Sequence, residues 1–362
     1  MRTVLQATAL AVLASVPVWP QARPIPVKVV VVAMFERGAD TGDEPGELQY
    51  WVERGKMDRV LPFPQGYHDL RMNRDGVLAV LTGVGTARAA ASIMALGLDP
   101  RFDLSKAYWL VAGIAGVDPA DASLGSAAWA EWVVDADLAH EIDAREIPKD
   151  WKTGYVPLRK KVPYEQPHTV SQLFGSQGEA YHLNAALTDW AFRLTRNVSL
   201  PDSEVMRKER SRYTEPNAKR PPFVLKGDTL SGGTFWSGRL LEQWANDWVK
   251  YHTDGQGNYV TTAMEDTGTM QSLSFLAKAG RVDINRVMVL RTASDYDAPP
   301  PGVSAAENLA HNAGGGYSGY MAAVEGAWRV GHVVVDEIVQ NWSKYSEMIP
   351  GGPELALRGP AH

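Results

Sequence analysis

The sequence predicts an α/β fold, a single three-layer α/β/α sandwich around a mixed, mostly parallel central sheet. Two observations lead to this prediction. Runs of β-branched and other apolar residues without polar alternation recur along the chain, which is typical of strands buried on both faces. Segments with helical periodicity stand between these runs. Alternating strands and helices favour a largely parallel sheet covered by helices on both sides.

The first half of the chain supplies three predicted strands. Residues 27–34 (VKVVVVAM) form the first and residues 77–81 (VLAVL) the second. The second strand ends at Thr82. The segment TARAAASIMAL that follows is predicted to be a helix, because it is rich in Ala and Ala favours helix. The third strand is predicted at residues 107–116 (AYWLVAGIAG), and the strand-rich stretch 126–143 follows it.

Regular alternation resumes near residue 222. The predicted elements are strands in PFVLKGDTL (222–230), a helix in SGRLLEQWANDWVKY (237–251), a strand in NYVTTAMED (258–266), a helix in TMQSLSFLAKAG (269–280), a strand at 286–294 and a long amphipathic helix at 317–342. Residues 145–222 are less regular, with Pro-rich and basic connections around one helical segment. We interpret them as an insertion or a lid.

The N-terminal segment is predicted to be a secretory signal. One early Arg precedes an apolar run from Val4 to about Val18, and Pro20 and Ala22 follow that run. Residues 1–24 are therefore assigned to the signal peptide and residues 25–362 to one domain. The mature chain is expected to be secreted or periplasmic, without a membrane span. A cytoplasmic N-terminal helix is the alternative.

The composition excludes several classes of partner and cofactor. The formal charge is −6 and Lys and Arg are spread along the chain, so there is no basic patch for a nucleic-acid backbone. The chain has no Cys, which excludes disulfides, zinc knuckles and thiol chemistry. No HExxH motif, P-loop or acidic calcium loop is present, so no metal or other cofactor is expected.

Polar residues and glycines collect at the carboxyl ends of the predicted strands, where α/β folds bind their ligands. The five strand ends concerned are marked by Glu36 with Arg37, by Thr82 with Gly83 and Gly85, by residues 113–116, by Met264 with Glu265, and by Ser294 with Asp295. The last of these strands delivers a second acid, Asp297, just before three prolines. A simple turn is the alternative interpretation of Asp295, since Asp is common in turns.

Taken in order, these segments resemble the purine nucleoside permease family, which is itself similar to the nucleoside phosphorylase and nucleosidase superfamily. The resemblance covers about residues 27–340 and rests on VVVVAMFERGADTGDEPGE, VLTGVGTARAAASIMAL, YWLVAGIAGVDPADASLGSAAWAEWVVDADLAHEID, LKGDTLSGGTFWSG, YVTTAMEDTGTMQSL and VLRTASDYDAPPPG. It implies a nucleoside phosphorylase-like fold, a purine nucleoside as substrate and cleavage of the N-glycosidic bond.

The resemblance also implies roles for individual residues. Asp295 corresponds to the acid that protonates the leaving purine, and Glu265 to the acid that binds the ribose hydroxyls. The other matching positions line the pocket for the nucleophile, the base and the sugar: Thr82, Gly83, Gly85, Ala115, Gly116, Met264, Ser294 and either Phe235 or Trp236. Two extra residues near Phe235 leave open which of the two rings stacks on the ligand.

These residue types suit N-glycosidic cleavage. Its transition state is an oxocarbenium-like sugar with a purine leaving as an anion, so the site needs a proton donor, hydrogen bonds to the sugar and a nucleophile. A carboxyl such as that of Asp295 can donate a proton if burial, helped by Asp297, raises its pKa. Glycines such as Gly83 and Gly85 let the backbone approach a small anion or water closely.

The sequence leaves open whether the nucleophile is water or phosphate. Arg37, Arg88 and Thr82 offer groups that bind an oxyanion. However, the loop FERGADTGDEPGE after the first strand holds five acids and one Arg, a charge balance that repels phosphate and suits a base acting on water. We therefore expect hydrolysis with Glu36 as the general base, and phosphorolysis is the alternative.

A binding protein is the competing interpretation. The family name points to nucleoside uptake, and a chain without membrane spans can take part in uptake only by capturing nucleosides for a separate transporter. His182, near a predicted helix start, is a further candidate for the pocket wall. Relatives of this fold assemble so that a neighbouring copy covers the sugar, so the resemblance leaves a homo-oligomer open.

Overall fold

The computed structural model describes residues 23–168 and 178–352. The predicted signal segment lies outside the described residues up to residue 22, as do residues 169–177 of the predicted insertion. No helix among the described residues combines the length and the apolar character that crossing a membrane requires.

The described residues form strands and helices that alternate along much of the chain. The strands are β1 (Ile25–Pro26), β2 (Val29–Ala33), β3 (Arg59–Leu61), β4 (Leu70–Met72), β5 (Val77–Leu81), β6 (Phe102–Asp103), β7 (Tyr108–Val117), β8 (Ala127–Ala130), β9 (Trp132–Asp135), β10 (Ala139–Glu141), β11 (Tyr155–Pro157), β12 (Ala180–His182), β13 (Val224–Lys226), β14 (Asp228–Ser231), β15 (Tyr259–Ala263) and β16 (Val287–Tyr296). The helices are α1 (Gln49–Arg54), α2 (Thr86–Leu98), α3 (Ala185–Thr195), α4 (Glu204–Arg210), α5 (Arg239–His252), α6 (Asp266–Lys278), α7 (Ala305–Gly315), α8 (Tyr320–Gln340) and α9 (Trp342–Tyr345), and a 3₁₀ turn at Ile284–Arg286 precedes β16.

A large mixed sheet organises the molecule around β7. Its strand order is β12-β9-β14-β15-β7-β2-β5-β4-β3, with β16 alongside β7 and β8 between β16 and β13. β2, β5, β7 and β16 are parallel, whereas the end of β7 pairs antiparallel with β15. The predicted α/β fold class with a mixed sheet is confirmed.

Helices cover both faces of this sheet. Alternate side chains of a strand point to opposite faces, and those of β2 divide accordingly. Val30 and Val32 belong to a buried cluster with residues of α2 and α6, whereas Val29 and Val31 belong to a second cluster with residues of α1, α3 and α8. Each fully buried valine stabilises the fold by about 1.5–3 kcal/mol, so both layers hold the strand.

Three helices, α1, α4 and α7, lie in segments where no helix was predicted, and α9 begins where the predicted last helix ends. α7 begins with a capping box, in which the Ser304 hydroxyl accepts from the Glu307 amide and the Glu307 carboxylate accepts from the Ser304 amide at 2.9 Å. α4 has a serine N-cap, Ser203, that accepts from the Met206 amide. The Ser-x-x-Glu spacing at residue 304 was the sequence signal for α7.

Part of the predicted insertion packs into the body of the molecule. Leu187 and Ala191 of α3 are fully buried in the same cluster as Val330 and Val334 of α8. The division into a signal peptide, one domain and an insertion stays a prediction.

Candidate active site

A cavity of about 630 Å³, its open mouth included, lies where the carboxyl ends of β7, β15 and β16 meet the loops after β2, β5 and β14. We call it the inner cavity. Its lining residues are Met34, Phe35, Glu47, Val84, Ile114, Ala115, Gly116, Thr234, Phe235, Trp236, Thr262, Ala263, Met264, Glu265, Ser294, Asp295 and Tyr317.

The side chain of Asp295 reaches the inner cavity from a bulge in β16. The strand pairs regularly with β7 until its register shifts between Ala293 and Asp295, and such a bulge re-aims the side chains that follow. The Ser294 hydroxyl donates to Asp295 Oδ1 at 2.7 Å. Burial raises the pKa of Asp295 to about 6, although this hydrogen bond opposes the rise. Part of the Asp295 population is therefore protonated near neutral pH and able to donate a proton.

The end of β16 also fixes three neighbouring loops through its carbonyl groups. The amides of Gly125, Gly319 and Gly238 donate to the carbonyls of Ala293, Ser294 and Asp297 at 2.8, 3.0 and 2.7 Å respectively. The strand that carries Asp295 is thus tied to the loop before β8, the start of α8 and the start of α5.

Glu265 is the second predicted acid in the inner cavity. Its carboxylate accepts from the amide of Gly85 at 2.9 Å, and the guanidinium of Arg291 lies 3.4 Å away. Burial raises the pKa of Glu265, and Arg291 opposes this rise. Because Gly85 caps α2, the turn after β5 holds Glu265 in place.

Arg291 is a fully buried cation beneath the inner cavity. It donates to Asp266 at 2.7 Å and to the carbonyl of Ile114 at 3.1 Å. A buried charge needs such partners, because desolvation costs several kcal/mol per ion. A single Arg inside the apolar run VMVLRTAS was a sequence signal for this ion pair, since Arg is rarely buried unless paired.

Glu47 completes the set of acids in the inner cavity. Its two carboxylate oxygens accept from the amides of Met34 and Ile114 at 2.8 and 2.7 Å. Burial raises the pKa of Glu47 to about 8, although Arg291 opposes the rise. A side chain at Gly113 would collide with Met34, Glu47 and Arg291, so β7 needs glycine there.

Glu36 lies outside the inner cavity, which corrects the expectation that it faces the same space as Glu265 and Asp295. Its carboxylate accepts from the backbone amides of Gly46, Leu48 and Gln49, the last at 2.6 Å. These bonds close the loop between β2 and α1 and bring Glu47 to the inner cavity. All the acceptor capacity of Glu36 faces its own loop.

Eight of the sequence-predicted site residues line the inner cavity: Ala115, Gly116, Phe235, Trp236, Met264, Glu265, Ser294 and Asp295. The prediction missed Glu47 and the aromatic ring of Tyr317. Tyr317 lies in a glycine-rich stretch that carries no periodic signal.

The turn after β5 supports the inner cavity but contributes only Val84 to its lining. The hydroxyl of Thr82 is buried and donates to the carbonyl of Gly83 at 3.1 Å. Gly85 reaches the site through its amide, as described for Glu265. The guanidinium of Arg88 folds back onto the carbonyl of Val84 at 3.1 Å and does not line the inner cavity.

Arg37 lines a second, larger cavity that borders the inner one. This outer cavity has an open volume of about 1900 Å³ and shares Phe35, Ile114 and Tyr317 with the inner cavity. Arg37 pairs with Glu44 at 2.5 Å, and its guanidinium carbon lies 4.3 Å from the ring centre of Tyr320. The guanidinium of Arg37 is therefore paired with Glu44 at the protein surface.

Asp297 points away from the inner cavity into a buried acidic cluster, which we define as Asp118, Glu242 and Asp297. The Tyr259 hydroxyl donates to Asp297. Burial, together with Asp118 and Glu242, raises the pKa of Asp297 well above its ordinary value. Burial, together with Asp118, raises the pKa of Glu242 to about 8.

His182 lies on β12 and does not line the inner cavity. Its ring stacks on Trp132 with centroids 4.1 Å apart, and its Nε2 is 3.1 Å from Glu131. Packing on the sheet edge explains this side chain without a ligand.

Two aromatic rings form one wall of the inner cavity. Phe235 is 50% exposed and stacks on Tyr317 with centroids 6.1 Å apart. Trp236 instead packs against Trp244 and Tyr259 at 6.0 and 6.3 Å. Trp236 is therefore held by its neighbours, whereas Phe235 is free to adjust to a ligand.

The lining of the inner cavity carries three carboxyl groups and, among the residues the structure describes, no Lys, Arg or His. Within residues 23–168 and 178–352, no group of three or more His, Asp or Glu side chains is arranged to hold a metal ion. Besides the carboxyl groups, the polar lining includes the hydroxyl-bearing residues Thr234, Thr262, Ser294 and Tyr317.

The chain is similar in sequence to proteins of one known family. Residues 26–350 match the family model described as Purine nucleoside permease (NUP). A probable purine nucleoside permease of Schizosaccharomyces pombe is 34% identical over 275 residues, which are 75% of this chain and 78% of that protein. A purine nucleoside permease of Candida albicans is 35% identical over 275 residues, 75% of this chain and 66% of that protein.

Two solved structures from Helicobacter pylori have a similar fold. Futalosine hydrolase is 14% identical with a TM-score of 0.50, covering 86% of this chain and 98% of that chain. The 5′-methylthioadenosine/S-adenosylhomocysteine nucleosidase is 13% identical with a TM-score of 0.50, covering 88% of this chain and 99% of that chain. At such identities the likeness concerns the fold alone.

Proposed function

This chain belongs to the purine nucleoside permease family, and from that membership we propose that it cleaves the N-glycosidic bond of purine nucleosides by hydrolysis. The observation that carries the proposal is the placement of three buried carboxyl groups, those of Glu47, Glu265 and Asp295, around one cavity. Each group has different partners, so each suits a different task.

Asp295 is the general acid in this proposal. Its carboxyl lies beside Ala115 and Gly116, where no side chain larger than a methyl group limits the approach of a flat base. Burial favours the protonated form, which donates to a ring nitrogen of the purine as the bond to the sugar breaks. General acids of this kind contribute about 10²–10⁴-fold to the rate.

Glu265 binds the sugar. Gly85 and Arg291 hold its carboxylate, as described above, while the carboxylate also lines the inner cavity. A fixed carboxylate can accept hydrogen bonds from neighbouring hydroxyls of ribose and stabilise the positive charge that develops on the ring.

Glu47 is the general base that activates water. The attacking water oxygen forms a bond to the anomeric carbon, its proton passes to Glu47, and the purine leaves with the proton of Asp295. The amides of Met34 and Ile114 fix the Glu47 carboxylate before the substrate arrives. A positioned base lowers the barrier because the geometry of attack is already set.

The charge of the inner cavity favours water over phosphate. Three carboxyl groups and, among the described residues, no cation line it, since Arg291 is buried against Asp266 and Arg37 lines the outer cavity. A phosphate dianion in this space would find no positive partner and would be repelled by any carboxyl group that is ionised. Phosphorolysis is the less supported reaction.

Nucleoside capture without chemistry is the second candidate function. The names of the curated relatives favour it, because both are described as permeases. The same inner cavity would then hold the nucleoside for a separate transporter, and the acids would serve only as hydrogen-bond acceptors.

One assay separates these functions. The purified protein is incubated with adenosine, inosine and guanosine, with and without phosphate, and free base and ribose are measured. Base release without phosphate supports hydrolysis, and release that requires phosphate supports phosphorolysis. Tight binding without release contradicts both and supports capture. Asp295→Asn should lower kcat by about 10²-fold or more while the nucleoside still binds.

A further inference from the structure

Asp295 borders a second space besides the inner cavity. A small side cavity, about 240 Å³ including its opening, has room for about one water molecule. Its lining residues are Leu124, Glu209, Tyr213, Asp295, Tyr296, Asn308, Asn312 and Ser318. Among the residues lining the two cavities, Asp295 alone belongs to both.

The side cavity has one buried polar group that is not otherwise used. Asn308 of α7 is 3% exposed, and its carboxamide has no hydrogen-bond partner among the described residues. The other polar groups there are mostly engaged, because the hydroxyls of Tyr213 and Tyr296 donate to the carbonyls of Ala298 and Ala218. The Asn308 carboxamide is therefore available to a polar partner in the side cavity.

The proposed reaction creates a need at this position. Asp295 is only 7% exposed and loses a proton to the purine at each turnover. While base and sugar fill the inner cavity, solvent cannot reach Asp295 from that side. A water in the side cavity reaches it from the other side.

We propose that the side cavity holds a water molecule, fixed by the Asn308 carboxamide, that returns a proton to Asp295 after each cleavage. The water gives one proton to the Asp295 carboxylate and takes one from solvent, so it is unchanged. The proton of the attacking water leaves through Glu47, and no other reactant is needed. This inference rests on the proposed hydrolysis and makes Asn308 a positioning residue.

Other ionisable groups lie on the elements packed around Asp295. They are Asp297 directly after the same strand, Asp118 after β7, Tyr259 on β15, Glu242 on α5, Glu209 on α4, Tyr317 before α8, and Glu47 and Glu265 across the inner cavity. Because these groups also titrate, the test compares variants at Asn308 that leave all of them in place.

A crystal structure of the full chain tests the water directly, whether or not the protein is catalytic. The expected result is an ordered water within hydrogen-bond distance of both the Asn308 carboxamide and the Asp295 carboxyl, and its loss in Asn308→Leu, where the side chain fills the space. A wild-type structure in which no water touches both groups overturns the proposal.

Kinetics test the role of the water. Asn308→Leu should lower kcat about tenfold or more with little change in KM, and a small weak acid such as imidazolium should restore part of the rate. Asn308→Ala leaves room for water and should lose less. The control is Leu309→Ala, an exposed position on the same helix, which should keep the wild-type rate.

Two outcomes overturn the relay and a third overturns the proposed function. The relay is wrong if Asn308→Leu keeps its kcat, or if Asn308→Leu and Asn308→Ala lose the same activity without rescue by the weak acid. A wild-type protein that contains the water but releases no base contradicts hydrolysis itself and leaves the water without a catalytic task.

Discussion

Two glutamates in one loop illustrate how backbone contacts assign chemistry to residues of the same type. Glu36 and Glu47 both lie between β2 and α1. The amides bound by Glu36 belong to its own loop, whereas those bound by Glu47 come from β7 and the end of β2 and leave its carboxylate beside the inner cavity. The first glutamate shapes the loop and the second is available to a ligand.

Glu47→Gln and Glu36→Gln should therefore differ in their effect on catalysis. Glu47→Gln should lower kcat by about 10²-fold or more, because an amide cannot accept the proton of water, and it should also lose some stability, because its NH₂ meets one of the two backbone donors that Glu47 binds. Glu36→Gln should lower the free energy of unfolding by about 1–3 kcal/mol, since an amide NH₂ meets backbone donors. Steady-state kinetics and urea unfolding measure both, and a Glu36→Gln protein without catalysis but with full stability would contradict these roles.

The pH dependence should reveal an unusual order of titration. The proposed acid, Asp295, has a pKa of about 6, and the proposed base, Glu47, has a pKa of about 8. Activity requires protonated Asp295 and ionised Glu47, so kcat/KM should rise up to about pH 6, stay level, and fall above about pH 8. The falling side then reports Glu47 and the rising side reports Asp295.

Variants identify which group causes each side of the profile. Residual activity of Glu47→Gln should be level at low pH and fall from about pH 6, where Asp295 loses its proton. Residual activity of Asp295→Asn should rise until about pH 8, where Glu47 is ionised. A Glu47→Gln profile that still falls only above pH 8 would reverse the assignment.

The sequence was informative about single residues where position along a strand decides their place. Asp295 lies near the end of β16 and Glu265 two residues after β15, and strand ends converge in this kind of sheet. Glu47 lies thirteen residues beyond Met34, whose amide it binds, in a loop with four other acids. Residue type does not show which of these five acids faces the inner cavity. That depends on how the loop folds back.

At the level of elements, the turn between β5 and α2 couples backbone conformation to the sugar site. Gly85 has φ of 97° and ψ of 155°, a combination essentially restricted to glycine, and its amide donates to Glu265. A side chain there would meet no atom within 4 Å, so only the backbone conformation demands glycine. The turn fixes Glu265 by its own shape.

Gly85→Ala should consequently raise KM for nucleosides, because a relaxed turn moves the amide away from Glu265. The strain should also cost about 1–3 kcal/mol of stability. Gly280→Ala is a matched control, since Gly280 also has a positive φ, 68°, and open space around it, but follows α6 far from Glu265. Equal KM values for the two variants would exclude this coupling.

Helix prediction succeeded where apolar periodicity was strong and failed where a helix is short or polar. α2, α5 and α8 carry apolar faces that are buried, and the sequence predicted all three. α4 has seven residues, of which only Met206 and Arg210 are buried, and α7 has just one apolar side chain with a large surface, Leu309, which is exposed. Such helices are held by caps more than by burial.

At the level of the whole molecule, buried acids make stability depend on pH. The folded protein keeps Glu47 protonated up to about pH 8, whereas an exposed glutamate ionises near 4.5. Between these values the folded state holds a proton that the unfolded chain has released, so stability falls as pH rises, by about 1.4 kcal/mol per pH unit and group. Glu242 acts in the same direction.

We expect the thermal midpoint to fall by several degrees from pH 5 to pH 8. In Glu47→Gln the fall should be smaller, because the amide does not ionise between these pH values. Calorimetry at both pH values measures this. A midpoint that rises with pH in the wild type would show that other groups outweigh the buried acids.

The overall fold was more predictable than the site because many residues specify it together. Each strand and helix repeats its pattern over several positions, so one misleading residue changes little. Whether Glu36 or Glu47 faces the inner cavity depends on a few backbone amides that bind their carboxylates. The sequence pattern does not predict where those amides lie.

The ties at the end of β16 restrict where a nucleoside can enter. Because the carbonyls of this strand hold the loop before β8 and the starts of α5 and α8, that side of the molecule forms one rigid rim. The opposite side, at Phe35 and Tyr317, borders the outer cavity, where the exposed Arg37–Glu44 pair separates at little cost. For the proposed function we therefore expect substrate to enter and products to leave through the outer cavity.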